Sequence, residues 1–370
     1  MFMKDKIRVA VLFGGQSSEH EVSRVSARSV LENLDQDKYE ILPVGITKEG
    51  EWLPYRGEYK YITSGEWEEE ARRDSDRNYA GPAKMPFSAK DYLYGVCGGP
   101  VDIVFPVLHG ANGEDGTIQG LFELAGIPYV GCNVLSSAVG MDKAVSKVLF
   151  EHAGLNQGRY IVVKRPDIQK NISEILEKVQ SLVGYPCFVK PSNCGSSVGV
   201  SKVRQPEELL KALKIAAEYD RKILIEEYID GREVECAVLG FDEPVASTVG
   251  EVIPCNEFYD YEAKYIKSDS KIVIPADLDE ETIETVRADA VTAFKALDCA
   301  ILARVDFFVE KRTRKVFINE INTMPGFTSI SMYPKLWQAC GISYGELLEK
   351  LIDLSLLRYN EYQRSYERKL

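Results

Sequence analysis

The stretch from 302 to 322 constrains this chain more than any other. Two runs rich in Val, Ile and Phe, 302–309 and 316–321, flank the polar cluster Lys311-Arg312-Thr313-Arg314, the pattern of an antiparallel hairpin. If Glu310 lies opposite Val316, Asp306 falls opposite Glu320 and Arg304 opposite Asn322. The two-residue period of a strand then puts Arg304, Asp306, Glu320 and Asn322 on one face. Two carboxylates and an amide oxygen suit a hard cation, and Mg2+ is usually held by one or two carboxylates together with substrate phosphates. Arg304 beside them can neutralise charge developing on a reacting group. The same residues also fit the polar outer face of an ordinary hairpin. What tips the balance toward a site is the sequence Asn322-Thr-Met-Pro-Gly-Phe-Thr, a turn that brings bare backbone close to the carboxylates.

The 370 residues suffice for two or three domains, and a hydrophobic content of 45% supplies their cores. No apolar run approaches the length of a membrane span, and the first residues lead directly into a strand rather than a signal sequence, so a cytoplasmic protein is expected, with no membrane partner. The eight cysteines are scattered without a C-x-x-C pair in a chain with three histidines, which disfavours a zinc site or a disulfide framework. A net charge of −12 argues against general affinity for nucleic acid.

The run IRVAVLF at 7–13 breaks at Gly14-Gly15 and leads into a helical pattern with Val22, Val25, Val30 and Leu31 on one side. This strand–glycine–helix unit offers a helix N-terminus to a ligand but lacks G-x-G-x-x-G, so it is a poor dinucleotide signature. Glu19 and Glu21 stand in the turn, placed either for the helix dipole or to hold an ammonium. Strands are expected at 39–46 and 101–108, the latter ending in His109-Gly-Ala-Asn-Gly-Glu-Asp-Gly. Ligands of open α/β sheets gather beyond the carboxyl ends of strands, where both loops would lie. The tract 57–89 reads as a polar surface excursion with one short helix, 121–125 as helix and 127–130 as a strand.

A helix from Met141 to His152 follows, then strands at 159–163 and 186–190 around a helix near 172–183. The second strand delivers Lys190 into PSNCGSSVGV, a loop either closing over phosphates with its N–H groups or forming a plain hairpin turn. Lys143 and Lys190 would supply point charges. Beyond a helix at 206–217, the strand KILIEE leads to Tyr228-Ile229-Asp-Gly-Arg-Glu233, suited to an adenine wall or to an ordinary sheet edge. Strands at 233–240 and 244–253, a helix at 280–297 and a terminal helix at 345–356 complete the chain, with a tail that frays.

Taken in order, GGQSSEHEVS, HGANGEDG, MDK, FVKPSNCGSSVGVSK, EEYIDGREVE, YDYEAKY, ARVDFFV and NEINTMPGFTSIS resemble the D-alanine–D-alanine ligases over nearly the whole length. The resemblance implies an α/β (α+β) protein of ATP-grasp fold in three domains: a Rossmann-like α/β domain at 1–133, a central domain with the phosphate loop at 134–226, and a C-terminal domain at 227–370. It implies ATP and two Mg2+ ions as cofactors, with Mn2+ able to substitute, D-alanine as substrate, and a homodimer.

By the same resemblance, Glu19 holds the ammonium of the first D-alanine and forms a hydrogen-bonded set with Ser196 and Tyr265. Lys143, Lys190 and Lys264 lie on ATP phosphates, and Ser197 is also an ATP-binding residue. Glu226 and the Tyr228-Ile229 backbone bind adenine, Glu233 binds the ribose hydroxyls, and Glu227 is a further ATP-binding residue. Asp306, Glu320 and Asn322 hold the metals. Arg304 and the Gly326 N–H stabilise the tetrahedral intermediate, while Ser331 and Met332 receive the second carboxylate, with His109 among the substrate contacts. The rival readings are a D-alanine–D-serine or D-alanine–D-lactate ligase, a nucleotide-binding module without turnover, and an NAD-dependent oxidoreductase. Tyr265 disfavours the lactate version, whose subgroup carries a histidine in that loop.

Overall fold

The structure, a computed structural model, describes residues 6–78, 88–253 and 271–362, side chains 75–78 excepted. Among the described residues, thirteen strands form three sheets. The first has the order β3-β2-β1-β4, from β1 (Ile7–Gly14), β2 (Tyr39–Ile46), β3 (Trp52–Pro54) and β4 (Ile103–Pro106). β1 pairs in parallel with β2 and β4. The second has the order β5-β8-β6-β7, from β5 (Tyr160–Lys164), β6 (Cys187–Pro191), β7 (Ser201–Val203) and β8 (Lys222–Glu227). The third has the order β11-β10-β9-β12-β13, from β9 (Gly231–Gly240), β10 (Val245–Ile253), β11 (Lys271–Val273), β12 (Ile301–Glu310) and β13 (Val316–Asn322).

The cores show how these sheets are joined. One continuous cluster runs from β1 and the helix His20–Asn33 through Phe105 to Phe327, Tyr333 and the helix Tyr344–Glu361, so the first and third sheets share a core. Phe105 and Phe327 meet edge to face at 5.8 Å. The second sheet keeps its own core under the helix Pro206–Tyr219, centred on Val189, Leu213 and Ile225. It is tied to the third sheet by backbone bonds such as Ile318 N–H to Asn156 O at 2.8 Å.

Several local expectations are corrected. The helix His20–Asn33 buries Ser23, Ser26, Ala27, Val30 and Leu31, while Val25 is exposed. Small residues let the helix sit close to the glycine turn: the Ser23 hydroxyl accepts the Gly14 N–H at 2.8 Å and donates to Val107 O. The tract after Gly57 holds two helices, Lys60–Ser64 and Trp67–Asn78, rather than one. Trp67 is 1% exposed and packs edge-on to Phe13 at 4.9 Å. Burying a side chain of this size contributes about 3 kcal/mol, enough to anchor an otherwise polar segment.

In place of a strand at 127–130, a single bridge joins Tyr129 to Val104. The helix expected from Met141 is split into Val134–Met141 and Lys143–His152 at Asp142, whose carboxylate caps the second by accepting from the Ala144 and Val145 N–H groups. An aspartate side chain competes with the helix backbone, favouring a new N-terminus over continuation.

Candidate active site

The hairpin face is in place. Arg304 pairs with Asn322 and Asp306 with Glu320 across β12 and β13. The register then slips at Asn319, so Val309 rather than Glu310 faces Val316. One extra residue in β13 makes a bulge, which bends the strand and lets the apolar alternation and the site register coexist. Arg304 grips Asp306 with two hydrogen bonds of 2.7 Å, and Asn322 Nδ2 donates to Asp306 Oδ2 at 3.0 Å.

Glu235 completes this arrangement from β9. It lies opposite Asp306, and its Oε2 stands 2.8 Å from Arg304 Nε. Burial disfavours the charged guanidinium, but Asp306 and Glu235 outweigh it and raise its pKa well above the ordinary arginine value. Among the described residues no three His, Cys, Asp or Glu side chains form a ready metal cage. The face offers two carboxylates and an amide, a hard-oxygen donor set that fits Mg2+ when phosphate and water fill the other positions.

Basic groups approach from the helix Lys143–His152 and from the second sheet. Asp142 turns the chain so that Lys143 opens its helix, and Lys143 Nζ reaches Glu320 Oε2 at 3.1 Å and Cys194 O at 2.8 Å. Lys190, on β6, contacts Glu226 of β8 and donates to Asn319 Oδ1 at 3.4 Å. Glu226 is also 3.1 Å from Lys147, one helical turn beyond Lys143. Burial would raise its pKa, yet the two ammonium groups hold it at about 2.

The loop after β6 has Ser196 and Ser197 in the left-handed region, with φ of 49° and 58°. That geometry is uncommon for residues with side chains and turns successive N–H groups toward one side. Ser196 donates to Glu19 Oε1, linking the second sheet's loop to the first sheet's helix. Gly195 lies against both acidic residues: a Cβ there would stand 3.4 Å from Glu19 Oε2 and 3.8 Å from Glu114 Oε1, in ordinary contact. Glu114 accepts the Gly110 N–H at 2.9 Å. Burial first, then the neighbouring Glu19, push its carboxyl up to about 8.

The remaining candidates divide. His109 is buried, with Nδ1 3.1 Å from Met324 O and Nε2 3.0 Å from Ser26 Oγ. A carbonyl only accepts, so Nδ1 carries the proton and Nε2 accepts a hydrogen bond from the Ser26 hydroxyl. Ser26 Oγ also accepts the Phe327 N–H at 3.3 Å, so this chain aligns the turn containing Gly326. A Cβ on Gly326 would lie 2.8 Å from Ser331 Oγ. Ser331 accepts the Thr328 N–H at 3.0 Å, while Met332 is buried against the third sheet. Glu227 turns to Arg159 at 2.6 Å, and Tyr228 lies under Lys202 Nζ at 4.0 Å. Ile229 is half-buried beside Gly158, and Glu233 is half-buried on β9. Lys264 and Tyr265, with the 259–265 loop, lie outside the described residues, as does the tail after 362.

Three residues at this site escaped the sequence reading. Glu235 was signalled by its position two after Glu233 on a strand, Lys147 by its i+4 spacing from Lys143, and Glu114 by its place in GEDG.

A mostly parallel α/β sheet, an antiparallel sheet bearing the serine- and glycine-rich loop, and an antiparallel hairpin carrying Arg304, Asp306, Glu320 and Asn322 define the ATP-grasp class of ATP-dependent enzymes. Comparison narrows this further. The family model described as the D-ala D-ala ligase N-terminus matches residues 8–132, and that of the D-ala D-ala ligase C-terminus matches residues 149–353. The chain belongs to the D-alanine–D-alanine ligase family. It is 60% identical to the D-alanine–D-alanine ligase of Acetivibrio thermocellus, over 99% of this chain and all of that one, and 59% identical to that of Ruminiclostridium cellulolyticum, over 98% of each. Among solved structures it is similar to the VanG D-Ala:D-Ser ligase from Enterococcus faecalis, with a TM-score of 0.83 and 42% identity over 95% of this chain and 100% of that one. The D-alanine–D-alanine ligase from Coxiella burnetii gives a TM-score of 0.81 and 35% identity over 97% and 96%.

Proposed function

We propose that this protein uses ATP to join two D-alanines into D-alanyl-D-alanine for the bacterial cell wall. The observation that carries the reading is the set of charged contacts Lys143–Glu320, Arg304–Asp306 and Ser196–Glu19. Each joins one proposed functional residue to another. The division into units at 1–133, 134–226 and 227–370 belongs to this proposal.

The first D-alanine places its ammonium on Glu19. Its carboxylate attacks the γ-phosphorus of ATP, ADP leaves, and an acyl phosphate forms. Lys143 and Lys190 leave their carboxylate partners and turn to the phosphates, offsetting charge as the group transfers. Asp306, Glu320 and Asn322 would hold Mg2+, which when bound neutralises phosphate charge. The amine of the second D-alanine, having lost a proton, then attacks the carbonyl carbon. Arg304 and the Gly326 N–H stabilise the oxyanion, and the C–O bond to phosphate breaks. The Ser196–Glu19 contact closes the phosphate loop over the site and keeps water from the acyl phosphate.

The D-serine reading draws on the VanG likeness, but the relatives with 60% and 59% identity carry the D-alanine name. An ADP-release assay with D-alanine, D-serine, D-lactate and L-alanine as second substrate tests the choice. D-alanine alone should sustain turnover near neutral pH, and preference for D-lactate or D-serine would overturn it. Among the described residues no helix is long and apolar enough to cross a membrane.

A further inference from the structure

Two lysines share Glu226, and only one of them has another task. In the ligation proposed above, Lys190 moves to ATP phosphates, which strips the buried Glu226 carboxylate of one ammonium. Lys147 is 2% exposed, Glu226 is its one ion-pair partner among the described residues, at 3.1 Å, and its ring neighbour is Tyr160, with Nζ 5.4 Å from the centroid. Its own backbone is fixed by the Gln157 side chain, whose Nε2 donates to Lys147 O at 2.8 Å.

We infer that Lys147 is the positioning residue that sets base specificity: it stays on Glu226 when Lys190 leaves and keeps that carboxylate an acceptor aimed at the exocyclic amine of adenine. This rests on the nucleotide-binding half of the proposed function and adds a residue to it. The chemistry is that of a carboxyl group in two states. Ionised, it only accepts hydrogen bonds, so it pairs with the 6-amino group of adenine. Protonated, it also donates, so it tolerates the 6-carbonyl of hypoxanthine. A buried carboxylate stripped of both counter-charges takes up a proton. The ionisable groups around it are Lys147 on the helix Lys143–His152, Lys190 on β6, Tyr160 on β5, and Glu320 on β13 beyond the lysines. With Lys147 present, the carboxylate remains charged in both arrangements of Lys190.

The experiment is equilibrium titration of ADP and IDP into the full-length protein, the Lys147→Met and Lys147→Arg variants, from pH 6 to 8, with thermal unfolding of each in parallel. The wild type should prefer ADP over IDP at every pH. Lys147→Met should lose about tenfold or more of that preference, most at pH 6, and Lys147→Arg should restore most of it. A ratio in Lys147→Met within twofold of the wild type overturns the inference, whatever its melting temperature does. If Lys147→Met does not fold, Lys147→Gln takes its place under the same criterion. A wild type without ADP preference also overturns it. ADP preference without D-alanine-dependent ADP release would instead sink the ligase reading and leave this one standing.

Discussion

Arg304 and Asp306 lie two residues apart on one strand and are joined by a pair of 2.7 Å hydrogen bonds. Side chains at that spacing share a face, so the strand's own period delivers a guanidinium to a carboxylate. The proposed roles pull the two apart, Asp306 toward a metal and Arg304 toward the reacting carbonyl. Glu235, which meets the same Arg304 Nε from β9, would then hold the guanidinium in place.

Glu235→Gln should therefore lower kcat by about tenfold to a hundredfold with little change in KM for D-alanine, because the loss falls on transition-state charge. Steady-state ADP release reads this directly. A kcat within twofold of the wild type would show that Asp306 alone orients Arg304.

His109 gives a pH dependence of stability. Burial pushes its pKa down from 6.5 to about 4, against the smaller opposing effect of its hydrogen bond to Met324 O. A depressed histidine stays neutral in the fold while the unfolded chain takes up a proton. Its contribution is present above pH 6.5 and is lost as pH falls through 4, on the order of 3 kcal/mol in all. Melting temperatures between pH 7 and 4 should fall steeply for the wild type and more gently for His109→Asn. Parallel curves would contradict the assignment.

Glu114 acts in the opposite direction along the pH scale. Its carboxyl, raised from 4.5 to about 8, keeps its proton in the fold when the unfolded chain has lost it. Stability from this group is full below pH 4.5 and declines as pH rises through 8. Glu114→Gln should thus gain in melting temperature relative to wild type between pH 5 and 9, by about 2 °C or more. A constant difference across that range would show that Glu114 is already ionised.

The hairpin was legible in the sequence because strand period and register are local properties: naming Asp306 opposite Glu320 needed only two apolar runs and a short turn. The bulge at Asn319 was not legible, since nothing in VFINEI marks which residue leaves the ladder. Trp67 explains the misread excursion. A single large side chain buried against Phe13 and Tyr55 anchors the helix Trp67–Asn78, and a lone tryptophan in a charged segment carries no periodicity. Glu235 and Lys147 lay in plain patterns, but their meaning depends on which side chains come from other strands and helices to meet them. Such meetings are tertiary and are settled only when three sheets converge.

In the proposed ligation the β12–β13 face holds the metal that serves phosphoryl transfer, and Glu320 is one of its ligands. Glu320→Gln keeps the side chain's size and removes its charge. D-alanine-dependent ADP release by this variant, measured at saturating ATP and Mg2+, should fall by about a thousandfold or more while the protein stays folded. Turnover equal to that of the wild type would contradict the account.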